Sequence, residues 1–459
     1  MSFMFNPYPY EDLNPVNRPK LPAQVAEGVI SGIQPVSERL VKEIRQRLQA
    51  APGVTVCLDG YAGADWRALV NLLSGALKKQ LIPVTISDLS ACYKSSQELD
   101  AMLADNLEQD LEKDPVLLFG KLFEGGYETL FDPGKLKALK EKISGSAGVH
   151  LVFGAGACSD ELREICSIAV YLDVTPKQAI LRIKRGGYRN LGDAAARPFK
   201  EMMRRCYYYD FELAMHLRAK LLKQDLIDFY IASDDHVKMQ MLPREVFNAI
   251  CASLVKYPFR CKPVYLEGVW GGYYIKRLRN LPDAMKNCAW VFDLIPLEVS
   301  LLIEAGKMIV EIPFFTFVCK EGDALMGRQC VDTFKGYFPI RFNYDDTWHS
   351  NGNMSIQLHP GKTYIKENFN EHGRQDESYY IVATGHGART FVGLREREDP
   401  AEFIAAAKRS EKDYSPVDYE KYVHFEESKP GMQFLLPAGT IHSRSEERRV
   451  GKECSELCR

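Results

Sequence analysis

The feature that most limits what this chain can fold into is a change of hydrophobic rhythm near residue 257. Before it, short apolar runs alternate with amphipathic stretches of helical length. After it, short alternating runs follow one another, separated by Gly, Asp and Asn turns. The runs VTVCLD (54–59), IPVTIS (82–87), VHLVFG (149–154), IAVYLDV (168–174) and IDFYIA (227–232) are largely apolar and therefore read as buried strands. The stretches between them, 67–80, 133–143, 176–185 and 198–222, read as the helices that cover those strands. Residues 34–256 are thus predicted to form a parallel α/β layer. Residues 1–33 carry many Pro, Asn and Tyr with no sustained period, and are predicted to form an arm lying over another surface.

The second rhythm covers residues 263–443, with strand candidates KMIVEIPFFTFVC, NMSIQLHP, ESYYIVATG and QFLLPAG. Short alternating strands joined by tight turns predict an antiparallel sandwich or barrel. The fold class expected is therefore α/β followed by all-β, with the junction in KYPFRCKP (256–263). A chain of 459 residues is long for one compact domain, in keeping with that division.

Charge and cysteine content narrow the function classes. Lys plus Arg total 59 against 61 Asp plus Glu, a formal net charge of -2. This balance gives no footprint for nucleic acid or for an anionic membrane as partner. The 12 cysteines are scattered, without a C-x-x-C pair, and no basic region followed by an apolar one opens the chain. Reduced cysteines in a cytoplasmic protein are the expectation. The most apolar stretch, 290–305, is interrupted by Asp293, Glu298 and Glu304, so no membrane segment is expected.

Six of the nine histidines follow residue 340. In NMSIQLHP, Gln357 and His359 are two apart, which on a strand puts both side chains on one face. Glu377 opens ESYYIVA and His442 lies in LLPAGTIHS. An amide oxygen, two imidazoles and a carboxylate make a nitrogen and oxygen shell that suits zinc and leaves positions for water or substrate. His349, His372 and His386 have no partner at ligand spacing.

The run from WGG (270–272) through MSIQLHP, DESYYIV and PAGTIHS resembles type I mannose-6-phosphate isomerase, a zinc enzyme of the cupin barrel class, in the order and separation of its elements. The resemblance implies that Gln357, His359, Glu377 and His442 correspond to the family's four zinc ligands. It also implies interconversion of mannose 6-phosphate and fructose 6-phosphate through an enediol, with a small sugar phosphate as the partner molecule. Such a proton shift needs a base at the acidic C–H and a cation near the oxygens. Where the family commonly has a Lys two residues before the ligating Glu, this chain has Gln375, with Arg374 beside it. Lys362, three residues after His359, is the expected phosphate or substrate contact. Arg374 is the expected source of positive charge, being always protonated and so unsuited to act as a base. The competing readings are a non-catalytic sugar-phosphate sensor and a nucleoside or sugar kinase with an accessory cupin.

VTVCLDGYAGADWRALVNLLSGAL has the layout of strand, Gly-rich turn and helix, and with Asp88 and YLDVTPKQAILRIKR it resembles the uridine kinase-like P-loop family. A working phosphate loop reads GxxxxGK[ST], its backbone N–H groups and Lys holding phosphates and its hydroxyl reaching magnesium. Counting from Gly60, those last three positions are Asp65, Trp66 and Arg67. Residues 34–256 are therefore expected to be kinase-like without phosphoryl transfer. The basic residues Arg182, Lys184, Arg185 and Arg189 are expected to form a solvated helix face. Finally, RSEERRVGKECSELCR (444–459) lacks the alternation of what precedes it and resembles the translation of a sequencing adapter. The expectation is an incomplete cupin ending at 443, followed by a non-native tail.

Overall fold

The computed structural model describes residues 5–108, 117, 119–144, 147–350, 352–385 and 387–445. The chain divides into two compact units, Met1–Val264 with Phe292–Phe342, and Tyr265–Val291 with Asn343–Arg459.

The first unit is built on a seven-stranded sheet in the order Ile30–Ser31, Gln240–Pro243, Phe229–Ala232, Ile168–Asp173, Gly53–Gly60, Gly148–Phe153, Val84–Asp88. The five strands from Phe229–Ala232 to Val84–Asp88 are mutually parallel, and Gln240–Pro243 runs antiparallel to both of its neighbours, Phe229–Ala232 and Ile30–Ser31. Gly53–Gly60 lies at the centre, between Ile168–Asp173 and Gly148–Phe153. Its even-numbered side chains Val54, Val56 and Leu58 belong to the main core together with Val36, Leu40 and Ile44 of the helix Ile33–Leu48 and Leu69, Leu73 and Leu77 of Arg67–Lys79. Both helices place apolar residues about one turn apart on one stripe, which is why they cover a sheet and not solvent. Gly32, with φ 94°, takes a backbone conformation that other side chains resist and lets the chain turn from the edge strand into the first of these helices.

The N-terminal segment is held by pairing. Val16–Asn17 adds in parallel to Ser300–Ala305, and the Asn17 amide donates to the carbonyls of Arg260 and Leu302 at 2.9 Å each. Glu11 meets two buried ammonium groups, those of Lys177 (2.6 Å) and Lys262, while Lys262 also contacts Glu311 at 2.8 Å. A second buried ion pair joins Arg218 to Asp173 at 2.9 Å, and Asp173 further accepts from Tyr230 (2.8 Å) and Thr316 (2.6 Å).

Two expectations are corrected here. KMIVEIPFFTFVC is not a single strand: Met308–Pro313 is a strand and Phe314–Met326 a helix. Phe314, Phe315, Phe317 and Val318 are buried together with Thr316, so the start of the helix is covered on every side and its period carries no signal that separates helix from strand. This helix packs against Phe211–Lys223 and Arg244–Leu254 of the same unit, which draws Phe292–Phe342 into the first unit and away from the expected barrel. The stretch 198–222 is likewise not one α-helix but Phe199–Arg205, a wide turn over Cys206–Asp210, and Phe211–Lys223.

The second unit carries small antiparallel sheets. Glu377–Tyr380 pairs with Gln433–Leu436, and Arg389–Leu394 lies between Val423–Glu427 and His442–Ser445. It is not all-β as expected, since Lys362–Phe369 and Pro400–Asp413 are helices. Asp399 caps the latter through the Ala401 N–H, followed by Pro at the first helical position, a local start signal strong enough to form a helix on the surface. Arg444 and Ser445 extend the strand opposite Thr390 and Arg389, whereas the rest of the tail, 446–459, lies outside the described residues. No helix among the described residues is long and apolar enough to cross a membrane.

Candidate functional site

Three separate segments of the second unit converge on one point. Gln357 and His442 face each other across an isolated antiparallel bridge, with Gln357 N–H donating to His442 O at 3.0 Å and His442 N–H to Gln357 O at 2.9 Å. The turn before His442 is fixed by Gly439, whose φ of 93° suits glycine and whose N–H donates to His359 O at 2.7 Å. Glu377 enters from the neighbouring strand, where it lies opposite Leu436. The Asp376 carboxylate accepts the Ala438 N–H at 3.0 Å and ties that strand to the same turn. The PAGTIH run is therefore the frame that sets two of the segments at a common depth.

At the convergence, His359 Nε2 lies 2.8 Å and His442 Nε2 3.0 Å from Glu377 Oε2. Among the described residues these three make the one group of three or more His, Cys, Asp or Glu side chains with ligand atoms all within 4.8 Å of one another. Gln357 Nε2 is 3.2 Å from His442 Nε2, and turning the amide over would present its oxygen at the same place. His442 is buried, and its Nδ1 lies 2.8 Å from Thr440 O, so that nitrogen carries a proton and Nε2 faces the cluster. The Tyr379 ring meets the His442 imidazole edge-on, with centroids 5.8 Å apart. Donor chemistry and spacing fit a small divalent cation such as zinc.

The electrostatics of the cluster follow from its own contacts. Burial raises the Glu377 pKa, but hydrogen bonds from His359 and His442 outweigh it and hold the carboxylate down to about 2. Burial lowers that of His442, and Glu377 together with Thr440 O reverses this and leaves it above its ordinary value. Nearby Asp345 is pushed up to about 7 by burial and by the Glu377 charge.

The other expected site residues stand apart from this cluster. Lys362 is exposed at the first residue of the helix Lys362–Phe369. Arg374 is exposed and paired with Asp376 at 3.0 Å. The neighbour that sequence reasoning did not assign to the cluster is Gln375, whose Nε2 lies 3.2 Å from His359 Nε2. Its signal in the sequence is its position two residues before Glu377. Of the histidines set aside, His386 lies outside the described residues.

In the first unit, the loop after Gly53–Gly60 is filled from within. The Asp59 carboxylate, fully buried, accepts N–H groups from Gly60 (2.7 Å), Cys158 (2.8 Å) and Gly156 (3.2 Å). A carboxylate already occupies the kind of converging N–H cradle that could hold an anion. A methyl group on Gly60 would clash with the Leu172 carbonyl oxygen and come within 2.9 Å of Ala64 Cβ and 3.2 Å of Trp66 Nε1, so the neighbouring strand and these side chains close the turn. Arg67 pairs with Asp88 at 3.0 Å, and the Asp65 carboxylate accepts the Arg67 N–H. Arg182, expected on a solvated helix face with Lys184, Arg185 and Arg189, instead donates to the carbonyls of Gly63, Ser233 and Asp234 at 2.6–2.7 Å.

A family model described as a domain of unknown function (DUF8485) matches residues 37–256. No curated protein matches the chain. Among solved structures, similarity is found to the mannose 6-phosphate isomerase from Bacillus subtilis, at 18% identity over 41% of this chain and 55% of that one, with a TM-score of 0.30. A putative mannosephosphate isomerase from Archaeoglobus fulgidus is also 18% identical, over 41% of this chain and 59% of the other, with a TM-score of 0.33. A putative fructose transport system kinase from Silicibacter sp. TM1040 is 19% identical over 40% of this chain and 94% of its own length, with a TM-score of 0.27. The chain thus spans 55% and 59% of the length of the two isomerases. These likenesses are too distant to assign residues, and the site is read from its own geometry.

Proposed function

We propose that the second unit is a zinc-dependent aldose-ketose isomerase that interconverts mannose 6-phosphate and fructose 6-phosphate. The observation that carries the reading is the meeting of His359, Glu377 and His442 from three segments distant in sequence, each within the QLHP, ESYY or PAGTIH run on which the resemblance rests. In this reading Gln357, His359, Glu377 and His442 hold the metal. When bound, the cation supplies Lewis acidity at the substrate oxygens, lowering the cost of the enediolate.

The chain's own groups have distinct tasks. The Thr440 carbonyl holds the proton on His442 Nδ1, so its Nε2 stays directed at the site. Glu377 supplies negative charge at neutral pH because its carboxyl is held near 2. Asp376 tethers Ala438 and so keeps the histidine-bearing turn against the Glu377 strand. Lys362 is proposed to meet the substrate phosphate from its exposed position, and Arg374 to add positive charge beside it. Domain limits follow the same reading: an arm over 1–33, a kinase-like α/β domain over 34–256 that does not transfer phosphate, and an isomerase-like region over 263–443. Asp59 in the N–H cradle and Trp66 at the Lys position support the absence of phosphoryl transfer.

One observation favours a second reading, a sugar-phosphate sensor without catalysis. Gln375, an amide that cannot take up a proton from carbon, lies against His359 where the resembled family commonly has a lysine. A coupled assay for fructose 6-phosphate formation from mannose 6-phosphate, with and without chelator, decides between them. Chelator-sensitive turnover supports the isomerase. Mannose 6-phosphate binding without turnover overturns it in favour of the sensor.

A further inference from the structure

The stretch between the helices Pro176–Lys184 and Phe199–Arg205 takes no regular structure, yet part of it lies deep in the first unit. Asn190 is only 3% exposed and the Asp193 side chain only 4%. Two polar fastenings hold it there. At the first, the Tyr188 hydroxyl donates to Asp210 Oδ2 at 3.0 Å, and the Asn190 amide donates to the same oxygen at 2.7 Å and to Met202 O at 3.1 Å. At the second, the Asp193 carboxylate accepts from Arg197 Nε (2.6 Å), Arg205 Nη1 (3.1 Å) and Ser96 Oγ (2.7 Å). Arg197 also meets both oxygens of Asp100 at 2.8 Å, and Arg205 donates to Leu191 O. Asp193 thus joins the stretch to the helices Ser96–Met102 and Phe199–Arg205 at once.

No residue of 186–197 belongs to the buried hydrophobic core, whereas the flanking helices each have a share of it, Ile180 and Ile183 on one side and Met202 and Met203 on the other. Apolar burial supplies most of the driving force for staying folded, so a segment held mainly by polar contacts belongs to the least stable part of a fold. Its neighbours are anchored without it. The backbone is also equipped to move. Gly186 has φ 75° with Gly187 next to it, and Gly192 has φ 83°, a region other residues resist. Gly192 packs against Leu99, which an added methyl group would strike.

We propose that residues 186–197 form a polar strap that opens and closes as one unit, with Asp193 as its clasp. Because the clasp is made of the chain's own charges, the strap closes without any bound partner. Releasing Asp193 frees Arg197 and Arg205 together, since members of one hydrogen-bonded network are coupled, and the strap leaves whole and does not fray from one end. Opening withdraws Tyr188 and Asn190 from Asp210. It uncovers that carboxylate, 1% exposed when the strap is closed, together with the Arg205 guanidinium 3.9 Å from it. The device therefore governs access to a carboxylate on the wide turn Cys206–Asp210, a kind of irregularity that occurs in helices frequently at functional sites. All of these residues lie in the first unit, so the inference stands apart from the zinc reading.

The test is hydrogen–deuterium exchange of the full chain read by peptide mass, with limited trypsin digestion beside it. In the wild-type protein, peptides covering 186–197 should exchange at one common rate, slower than an unfolded chain and faster than the flanking helices. The Arg189–Asn190 bond should be cut slowly, although the Arg189 side chain is exposed. In Asp193→Asn, exchange across 186–197 and cleavage after Arg189 should both rise at least about tenfold, while the strands Gly53–Gly60 and Ile168–Asp173 keep their protection. Gly192→Ala strains the backbone without touching a charge and should give the same pattern. The proposal fails if the wild-type strap exchanges as fast as an unfolded chain, if Asp193→Asn leaves its exchange unchanged, if only one end is released, or if the strands lose protection equally. If Asp193→Asn does not fold, Gly192→Ala is read by the same criteria, and if neither folds the common wild-type rate decides alone.

Discussion

A metal ion and protons compete for the same side chains in the second unit, and the competition has a calculable size. His442 must be neutral at Nε2 to ligate, yet its pKa stands above the ordinary value near 6.5, because Glu377 and Thr440 outweigh burial. Glu377, held near 2, stays ionised across the neutral range and exchanges no proton there. Zinc binding therefore displaces a proton from His442 below that raised pKa, and apparent affinity falls as pH drops through it. With one such imidazole at or above 6.5, lowering the pH from 7.5 to 5.5 should weaken zinc binding by about 10- to 100-fold, or about 1.4–2.7 kcal/mol. Titration calorimetry on metal-free protein, in buffers of different protonation enthalpy, gives both the affinity and the number of protons released. His442→Ala should lose the tight zinc site and with it the proton release. Zinc affinity that does not change between those pH values, or an equal zinc content in wild type and His442→Ala, would refute the assignment.

Other consequences concern the site and the fold around it. If the site is an isomerase impaired at its base, Gln375→Lys should raise turnover in the coupled assay while leaving zinc content unchanged; loss of zinc in that variant would assign Gln375 a positioning role at His359 instead. Arg218→Met leaves the Asp173 carboxylate buried without its cation, and urea unfolding should show a loss of about 3–5 kcal/mol. Glu11→Ala leaves the buried Lys177 ammonium without its carboxylate while Lys262 keeps Glu311, but Glu11 is 40% exposed and water screens the loss, so about 1–2 kcal/mol is expected by the same measurement. Asp59 is pushed up to about 7 by burial, despite the N–H groups it accepts. Its folded pKa lies above its unfolded one, so the stability it contributes is present below about pH 4 and is lost as pH rises towards 7. The difference in stability between wild type and Asp59→Asn should accordingly change between pH 4 and 7, and a constant difference over that range would contradict the burial argument.

Local patterning determined much of the first unit. Apolar runs such as VTVCLD and VHLVFG stand as strands within a residue or two of the expected limits, and the stripe of Leu69, Leu73 and Leu77 made its helix readable. The reason is that burial on both faces of a strand, or on one stripe of a helix, leaves a period in the sequence. The same logic fails where burial is complete on all sides: the Phe314–Val318 start of the helix Phe314–Met326 is buried all round, and its neighbours in space chose a helix. The helix Pro400–Asp413 of the second unit buries only Ala406 among its residues, so it carries little apolar period and its cap at Asp399 and Pro400 is its main mark in the sequence.

The chemistry divides in the same way. The residue types at Gln357, His359, Glu377 and His442 could be picked out from their motifs, since ligand side chains in Q-x-H and P-x-G-x-x-H spacing are visible along the chain. That His359, Glu377 and His442 share one point within hydrogen-bond distance, with Gln375 beside them and Arg374 turned to Asp376, depends on strand pairing across dozens of residues. The Asp59 carboxylate inside the N–H cradle and the approach of Cys158 Sγ to the Cys57 carbonyl depend on it still more. None of those residues has a partner at a telling spacing, because a parallel sheet joins positions about a hundred residues apart. Periodicity is a local property and could be read from the chain itself, whereas the convergence that makes a site is set by which strands lie side by side.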